Sequence, residues 1–135
     1  HRSIHLLVFN DSGELLMQKR SMKKDESPGK WCSSVAGHLD SGEAYDDCLI
    51  REAKEEIGLE LNSVPGKLFK IEAHEETGNE FTWVYQVTAS GPFVFDPCEV
   101  TELRWFKLKE VDRLIQEQED SFSSSFLEVF RRLSR

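Results

Sequence analysis

No apolar run in this chain approaches the roughly 18 residues that a membrane-spanning helix needs, and no secretory-signal pattern opens it. A membrane partner is therefore not expected. Basic residues are in the minority: 17 Lys and Arg stand against 25 Asp and Glu, for a formal net charge of −8. Phosphate backbones select basic surfaces, which argues against a nucleic-acid polymer as partner. Cysteine is scarce and odd in number. Cys32, Cys48 and Cys98 show no paired metal-ligand spacing. They read as buried or half-buried thiols in a reducing cytoplasm, the expected location. Repeats, low-complexity tracts and composition breaks that would mark a domain boundary are also missing. So is an initial Met. The chain opens at His1 inside a strand-like stretch, which suggests a trimmed N-terminal segment.

What remains is 135 residues, 39% hydrophobic and 31% charged, the profile of one globular domain spanning residues 1–135. Ser3 to Phe9 is rich in β-formers, Asn10 to Gly13 is a turn cluster, and Glu14 to Arg20 is a second strand. In that strand Leu15 and Met17 alternate with polar neighbours, so the two read as a hairpin. Met22 to Lys30 is polar and reads as a loop, and Trp31 to Gly37 is extended again. Leu68 to Glu75, Phe81 to Thr88 and Glu102 to Leu108 read as further strands, the first two joined at Thr77-Gly78-Asn79. Helical stripes follow at Val111, Leu114 and Ile115 and at Phe126, Val129, Phe130 and Leu133. Strands on both sides of a central helix, with helices at the far end, suggest an α/β fold with a mixed sheet between helices.

That central helix carries the chemistry. Within Gly37 to Leu59, Glu52, Glu55 and Glu56 fall inside about 100° of the helix circumference, beside an apolar stripe of Leu49, Ile50, Ala53 and Ile57. Like charges at such spacing cost a few tenths of a kcal/mol per pair. A solvated face is the plain reading of a Glu-rich helix, but carboxylates gathered in this way also suit a hard divalent cation. Asp40-Ser41-Gly42-Glu43 has the pattern of a capped helix start, and Gly58 is placed to end the helix in the left-handed conformation. Arg51 lies near 100° from Glu52, so it is expected to point away from the metal side.

The same stretch resembles the Nudix box. Gly37, Glu43, Arg51, Glu52, Glu55, Glu56, Gly58 and Leu59 match its pattern in register, while Ala53 stands where the family usually has Ile, Leu or Val. Seven fixed residues at roughly 7% frequency coincide at about one starting point in 10⁸. The resemblance implies an α/β/α sandwich and Mg²⁺-dependent hydrolysis of a pyrophosphate bond, with Mn²⁺ a possible substitute. The expected substrate is a small-molecule diphosphate, a nucleoside diphosphate linked to another group. It implies Gly37, Glu52, Glu55 and Glu56 as metal ligands, and an Arg51–Glu43 pair that pins loop to helix. Nudix enzymes differ in the base: some use a box glutamate, others one from a later loop. The box is favoured here, making Glu52 and Glu55 the catalytic candidates, with Glu99 and Glu102 as the later-loop option.

Arg20, Lys30 and His38 are the substrate-binding candidates, with Lys23 and Lys24 also beside the expected cleft; Trp31, Phe81 and Trp83 are aromatics that could stack on a base, although packing is the plainer role. The flanks add a second resemblance, to isopentenyl diphosphate isomerase, a Nudix-fold enzyme that isomerises. It rests on His1-Arg2, Phe9-Asn10, Pro28-Gly29-Lys30-Trp31, Ser34 and Gly37-His38. His1, His38 and Glu80 fall where that enzyme has metal ligands. Ala36, however, stands in place of its catalytic Cys, and Gly78 in place of a glutamate ligand. The expected activity is therefore a hydrolase of the isomerase-like branch. An isomerase and a non-catalytic Nudix-fold binding module are the alternatives, and a homodimer is compatible with any of them.

Overall fold

The computed structural model describes residues 1–73 and 81–134. Its frame is a seven-stranded mixed sheet. Strands β1 (Arg2–Phe9) and β2 (Leu15–Arg20) are joined by the predicted turn, in which the Asn10 side chain accepts the Ser12 and Glu14 amides. The hairpin is real only at its base: β1 and β2 pair at Phe9 and Leu15 alone. Beyond that point they splay, and the chain returns to fill the gap. β3 (Trp31–Cys32) pairs with β2, and β4 (Val35–His38) pairs antiparallel with β1 from Ser3 to Leu6.

Ser34, between β3 and β4, sits at the fork. Its hydroxyl accepts the Val8 amide at 2.9 Å and donates to the Leu16 carbonyl at 2.5 Å, so one buried side chain ties both strands. The other edge of β1 runs parallel to β6 (Phe81–Thr88), which pairs antiparallel with β5 (Gly66–Ile71). The other edge of β2 carries β7 (Val100–Phe106).

Helices cover both faces. α1 (Tyr45–Ile57) packs its buried Cys48, Leu49, Ala53 and Ile57 against Ile4, Leu6, Val8 and Leu16. α2 (Leu108–Gln118) and α3 (Ser124–Leu133) cover the opposite face, where Val111, Phe126, Val129 and Phe130 meet Leu7, Leu15, Met17 and Phe106. The result is an α/β/α sandwich, as expected from the sequence. Each fully buried Leu or Ile contributes about 2 kcal/mol of apolar burial, so these faces hold the layers together. Among the described residues no helix is long and apolar enough to cross a membrane.

Three local expectations need correction. β2 does not alternate between core and solvent: Leu15, Leu16, Met17 and Gln18 are all buried, because a central strand is covered on both faces. The helix does not start at Asp40. Glu43 accepts the Asp40 amide at 2.9 Å, which is half of a capping box, but this closes a turn, and α1 begins at Tyr45 behind the uncapped Ala44. Cys98 is exposed, unlike the buried Cys32 and Cys48. The Gly58 expectation holds. Its φ is +67°, and the Gly58 and Leu59 amides return to the Lys54 and Ala53 carbonyls. The predicted Thr77-Gly78-Asn79 turn lies outside the described residues.

Candidate active site

α1 lays its glutamate side over β4. Glu52 sits so close to Gly37 that a Cβ on that residue would lie 2.3 Å from Glu52 Oε2. A side chain on residue 37 would displace the Glu52 carboxylate, so glycine keeps that carboxylate against the strand. One turn on, Glu56 Oε1 accepts from Gln18 Nε2 at 2.8 Å and from the Ala36 amide at 3.2 Å. Glu52, one helical turn before Glu56, is close enough for its carboxylate to act on that of Glu56. Burial first, and then this neighbouring carboxylate, raise the Glu56 carboxyl well above the usual range. A proton, or a cation in its place, would relieve the repulsion between two such carboxylates.

Arg51 overturns the expectation that it points away. Its guanidinium does pair with Glu43 in the two-pronged way, Nε to Oε2 and Nη2 to Oε1, both at 2.9 Å. The third nitrogen turns inward, with Nη1 at 2.5 Å from Glu52 Oε1 and 3.2 Å from Glu55 Oε2. The angle to Glu52 was right, but Glu55 is an i,i+4 neighbour of Arg51, and the long side chain bends far enough to meet Glu52 as well. Nη2 also donates to the His38 carbonyl at 3.3 Å. These contacts lower the Glu43 carboxyl to about 2, chiefly through the Arg51 hydrogen bonds, and raise Arg51 above its ordinary value. Burial and the charges of Glu43 and Glu52 push the Cys48 thiol up to about 12, which leaves it inert.

The glutamates open on a cavity of about 650 Å³. Gly37, His38, Arg51, Glu52, Glu55 and Glu56 line one side; Arg20, Lys24, Glu26 and Glu99 line another. Arg20 donates through Nε to the Glu26 carbonyl at 2.8 Å, and Lys24 is ion-paired with Glu99. Ala36 and the buried Cys32 also border it. Lys30 does not line the cavity, and neither do Lys23, Trp31, Phe81 or Trp83. Trp31 packs edge-on against Phe106 at 5.1 Å, and Lys67 covers Trp83 at 4.8 Å. Glu102 is turned aside and paired with Arg104 at 2.5 Å. His1 and His38 meet edge to face at 6.4 Å, while Gly78 and Glu80 lie outside the described residues.

Among the lining residues that escaped the sequence reading are Gln18, His5 and Ser3. Gln18 touches Glu56 directly, and His5 is 4% exposed with its Nδ1 2.7 Å from the Ser33 hydroxyl. Ser3 pairs with Thr82 at 2.7 Å. The legible signal was the run Leu15-Leu16-Met17, which lacks period 2. A polar residue continuing such a two-faced strand must be buried, and buried polar groups need partners.

The donor set fits a divalent cation in part. Among the described residues no three His, Cys, Asp or Glu side chains stand grouped as a ready cage, because Arg51 holds Glu52 and Glu55. The Glu52–Glu56 contact beside the Gly37 backbone is the part that fits.

A NUDIX domain model matches residues 1–129. The chain belongs to the Nudix family. Within that family it is similar to the isopentenyl-diphosphate Delta-isomerase of Paenarthrobacter aurescens, 34% identical over 110 residues, which are 78% of this chain and 60% of that enzyme. The chain thus spans less than two thirds of this relative's length. Among solved structures, DR0079 from Deinococcus radiodurans superposes at a TM-score of 0.89 with 25% identity, covering 99% of this chain and 83% of the other. The NUDIX domain of Shewanella oneidensis NrtR, solved complexed with ADP ribose, superposes at 0.74 with 15% identity, covering 98% and 85%. A Nudix box is thus present in a Nudix fold.

Proposed function

We propose that this Nudix protein hydrolyses the pyrophosphate bond of a nucleoside diphosphate linked to another group, with Mg²⁺ as cofactor and Mn²⁺ as a substitute. The observation that carries the reading is the gathering of Glu52, Glu55 and Glu56 beside Gly37 on the wall of a cavity that also carries Arg20 and Lys24. Glu52, Glu56 and the Gly37 carbonyl would hold the cation, joined by Glu55 when Arg51 releases it. A cation there supplies charge neutralisation for the diphosphate and a water made nucleophilic at neutral pH.

The protein's own groups divide the remaining work. Arg20 and Lys24 face the cavity as counter-charges for phosphate oxygens. Glu55, 58% exposed at its side chain, is the box carboxylate with room to orient and deprotonate the attacking water. Glu99 is the rival base. It lines the cavity, whereas Glu102 does not. Arg51 and Glu43 keep the loop after β4 on α1. The bound ADP ribose of the NrtR domain supports the class of substrate proposed.

An isomerase of the isopentenyl-diphosphate type is the second reading, favoured by the name of the 34%-identical relative. Ala36 weighs against it, because the side chain at this cavity position has no thiol to give or take a proton. Incubation with Mg²⁺ and a panel of nucleotides, nucleotide sugars and isoprenoid diphosphates separates the two. Phosphate, pyrophosphate or nucleoside monophosphate should be released by the wild type and fall at least 100-fold in Glu56→Gln. Allylic product without such release would sink the hydrolase. Micromolar binding with no turnover would leave a binding module.

A further inference from the structure

Gln18 lies on β2 at 2% exposure, continuing the buried run Leu15-Leu16-Met17. Burying an amide without partners is costly, so its hydrogens must be matched. Both are. Nε2 donates to the Ser34 carbonyl at 3.0 Å and to Glu56 Oε1 at 2.8 Å. The anchor is itself held, because the Ser34 hydroxyl bridges the fork between β1 and β2. The Gln18 amide is therefore bolted to the sheet and aimed at one oxygen of one carboxylate.

That oxygen also accepts the Ala36 amide at 3.2 Å. A carboxylate oxygen has two lone-pair directions, and here both are taken by neutral donors. Oε2 takes neither donor and is the oxygen left for a cation. Without these donors the carboxylate would turn freely, since the terminal torsion of glutamate is broad.

We infer that Gln18 is a positioning residue that makes Glu56 a one-oxygen cation ligand, presenting Oε2 and withholding Oε1. The inference rests on the proposed role of Glu52 and Glu56 as ligands, and is independent of which diphosphate is cleaved. It has a consequence for ion choice. Mg²⁺ and similar small ions demand near-octahedral geometry from single oxygens, whereas Ca²⁺ accepts carboxylates through both oxygens and tolerates irregular shells. Gln18 should thus favour small ions over Ca²⁺.

The test is Mn²⁺ binding followed by the electron paramagnetic resonance of the free ion, with Ca²⁺ affinity from competition. Gln18→Met keeps side-chain volume and removes both donors. Its Mn²⁺ affinity should fall about tenfold, the lower end for an outer partner of a ligand, while Ca²⁺ affinity falls less than threefold. In a Glu56→Gln background the same change should have no further effect. Mn²⁺ affinity within twofold of wild type overturns the inference. So does an equal loss for both ions, which is general damage, or a loss that persists without Glu56. Should Gln18→Met not fold in EDTA, Gln18→Asn serves, being one methylene too short to reach both partners. A wild type that binds Mn²⁺ but cleaves no diphosphate sinks the hydrolase and leaves Gln18 to be judged on ion affinity. A wild type that binds neither ion overturns both.

Discussion

Gly37 and Glu52 compete for the same few ångströms, and the outcome sets what each is for. A methyl group on residue 37 would meet Glu52 Oε2 at 2.3 Å and Cδ at 2.5 Å. These atoms end a flexible side chain, so the carboxylate can move and the fold can survive. What cannot survive is the position of the carboxylate. Misplacing a reacting or ligating group by about 1 Å costs on the order of 100-fold in rate. Gly37→Ala is expected to lower kcat about 100-fold and weaken Mn²⁺ binding, with Tm within about 3 °C of wild type by calorimetry. Retained activity would show that Glu52 is not held where it works. Arg51 teaches the complementary lesson. Its Cα lies where the helical wheel puts it, and Glu55 is its ordinary i,i+4 neighbour, but no angular argument at the backbone predicts that the same guanidinium also serves Glu43 and Glu52.

At the scale of elements, what could be read in advance was whatever has a local cause. α1 was legible from its apolar stripe, and its end from Gly58, because 3.6-residue periodicity and a left-handed cap are properties of adjacent residues. The glutamate side of the site was legible for the same reason, as three glutamates share one helix face. The start of α1 was not, since Asp40-Ser41-Gly42-Glu43 satisfies its own hydrogen bonds as a turn and competes with helix. Nor was the fork of β1 and β2, which depends on Ser34 reaching two strands from elsewhere in the chain. Gln18 was invisible because its partner lies 38 residues away. The cap at Gly58 permits a clean test at this scale. Its φ of +67° disfavours any side chain, and a Cβ would press on Val94 at 3.2 Å. Gly58→Ala should cost about 1–2 kcal/mol, a drop of roughly 4–8 °C in Tm. An unchanged Tm would mean that the helix end relaxes without cost.

For the molecule as a whole, a net charge of −8 and a glutamate cluster set an opposition between stability and readiness for a cation. Two carboxylates pull in different directions with pH. Glu43 has its folded value lowered to about 2 by Arg51, so its stabilisation is present above its ordinary value of 4.5 and is lost as pH falls toward 2. Glu56 is the reverse case. Burial and Glu52 raise it, so its favourable contribution is full below 4.5 and is lost as pH rises through the elevated folded value. Without metal the protein should therefore be held back at neutral and alkaline pH by a buried charge beside another charge. Glu56→Gln removes that charge and keeps an oxygen to accept from Gln18. In EDTA at pH 8 it should raise Tm by several degrees, at about 4 °C per kcal/mol for a chain of this size. The gain should vanish near pH 4, where the wild-type carboxyl is protonated. Saturating Mg²⁺ should reverse the order at pH 8, because the wild type gains ligand stabilisation that the variant lacks. Melting curves across pH 4 to 8, with and without Mg²⁺, decide it. A difference that is flat in pH, or indifferent to the ion, would show that the Glu52–Glu56 contact is only structural.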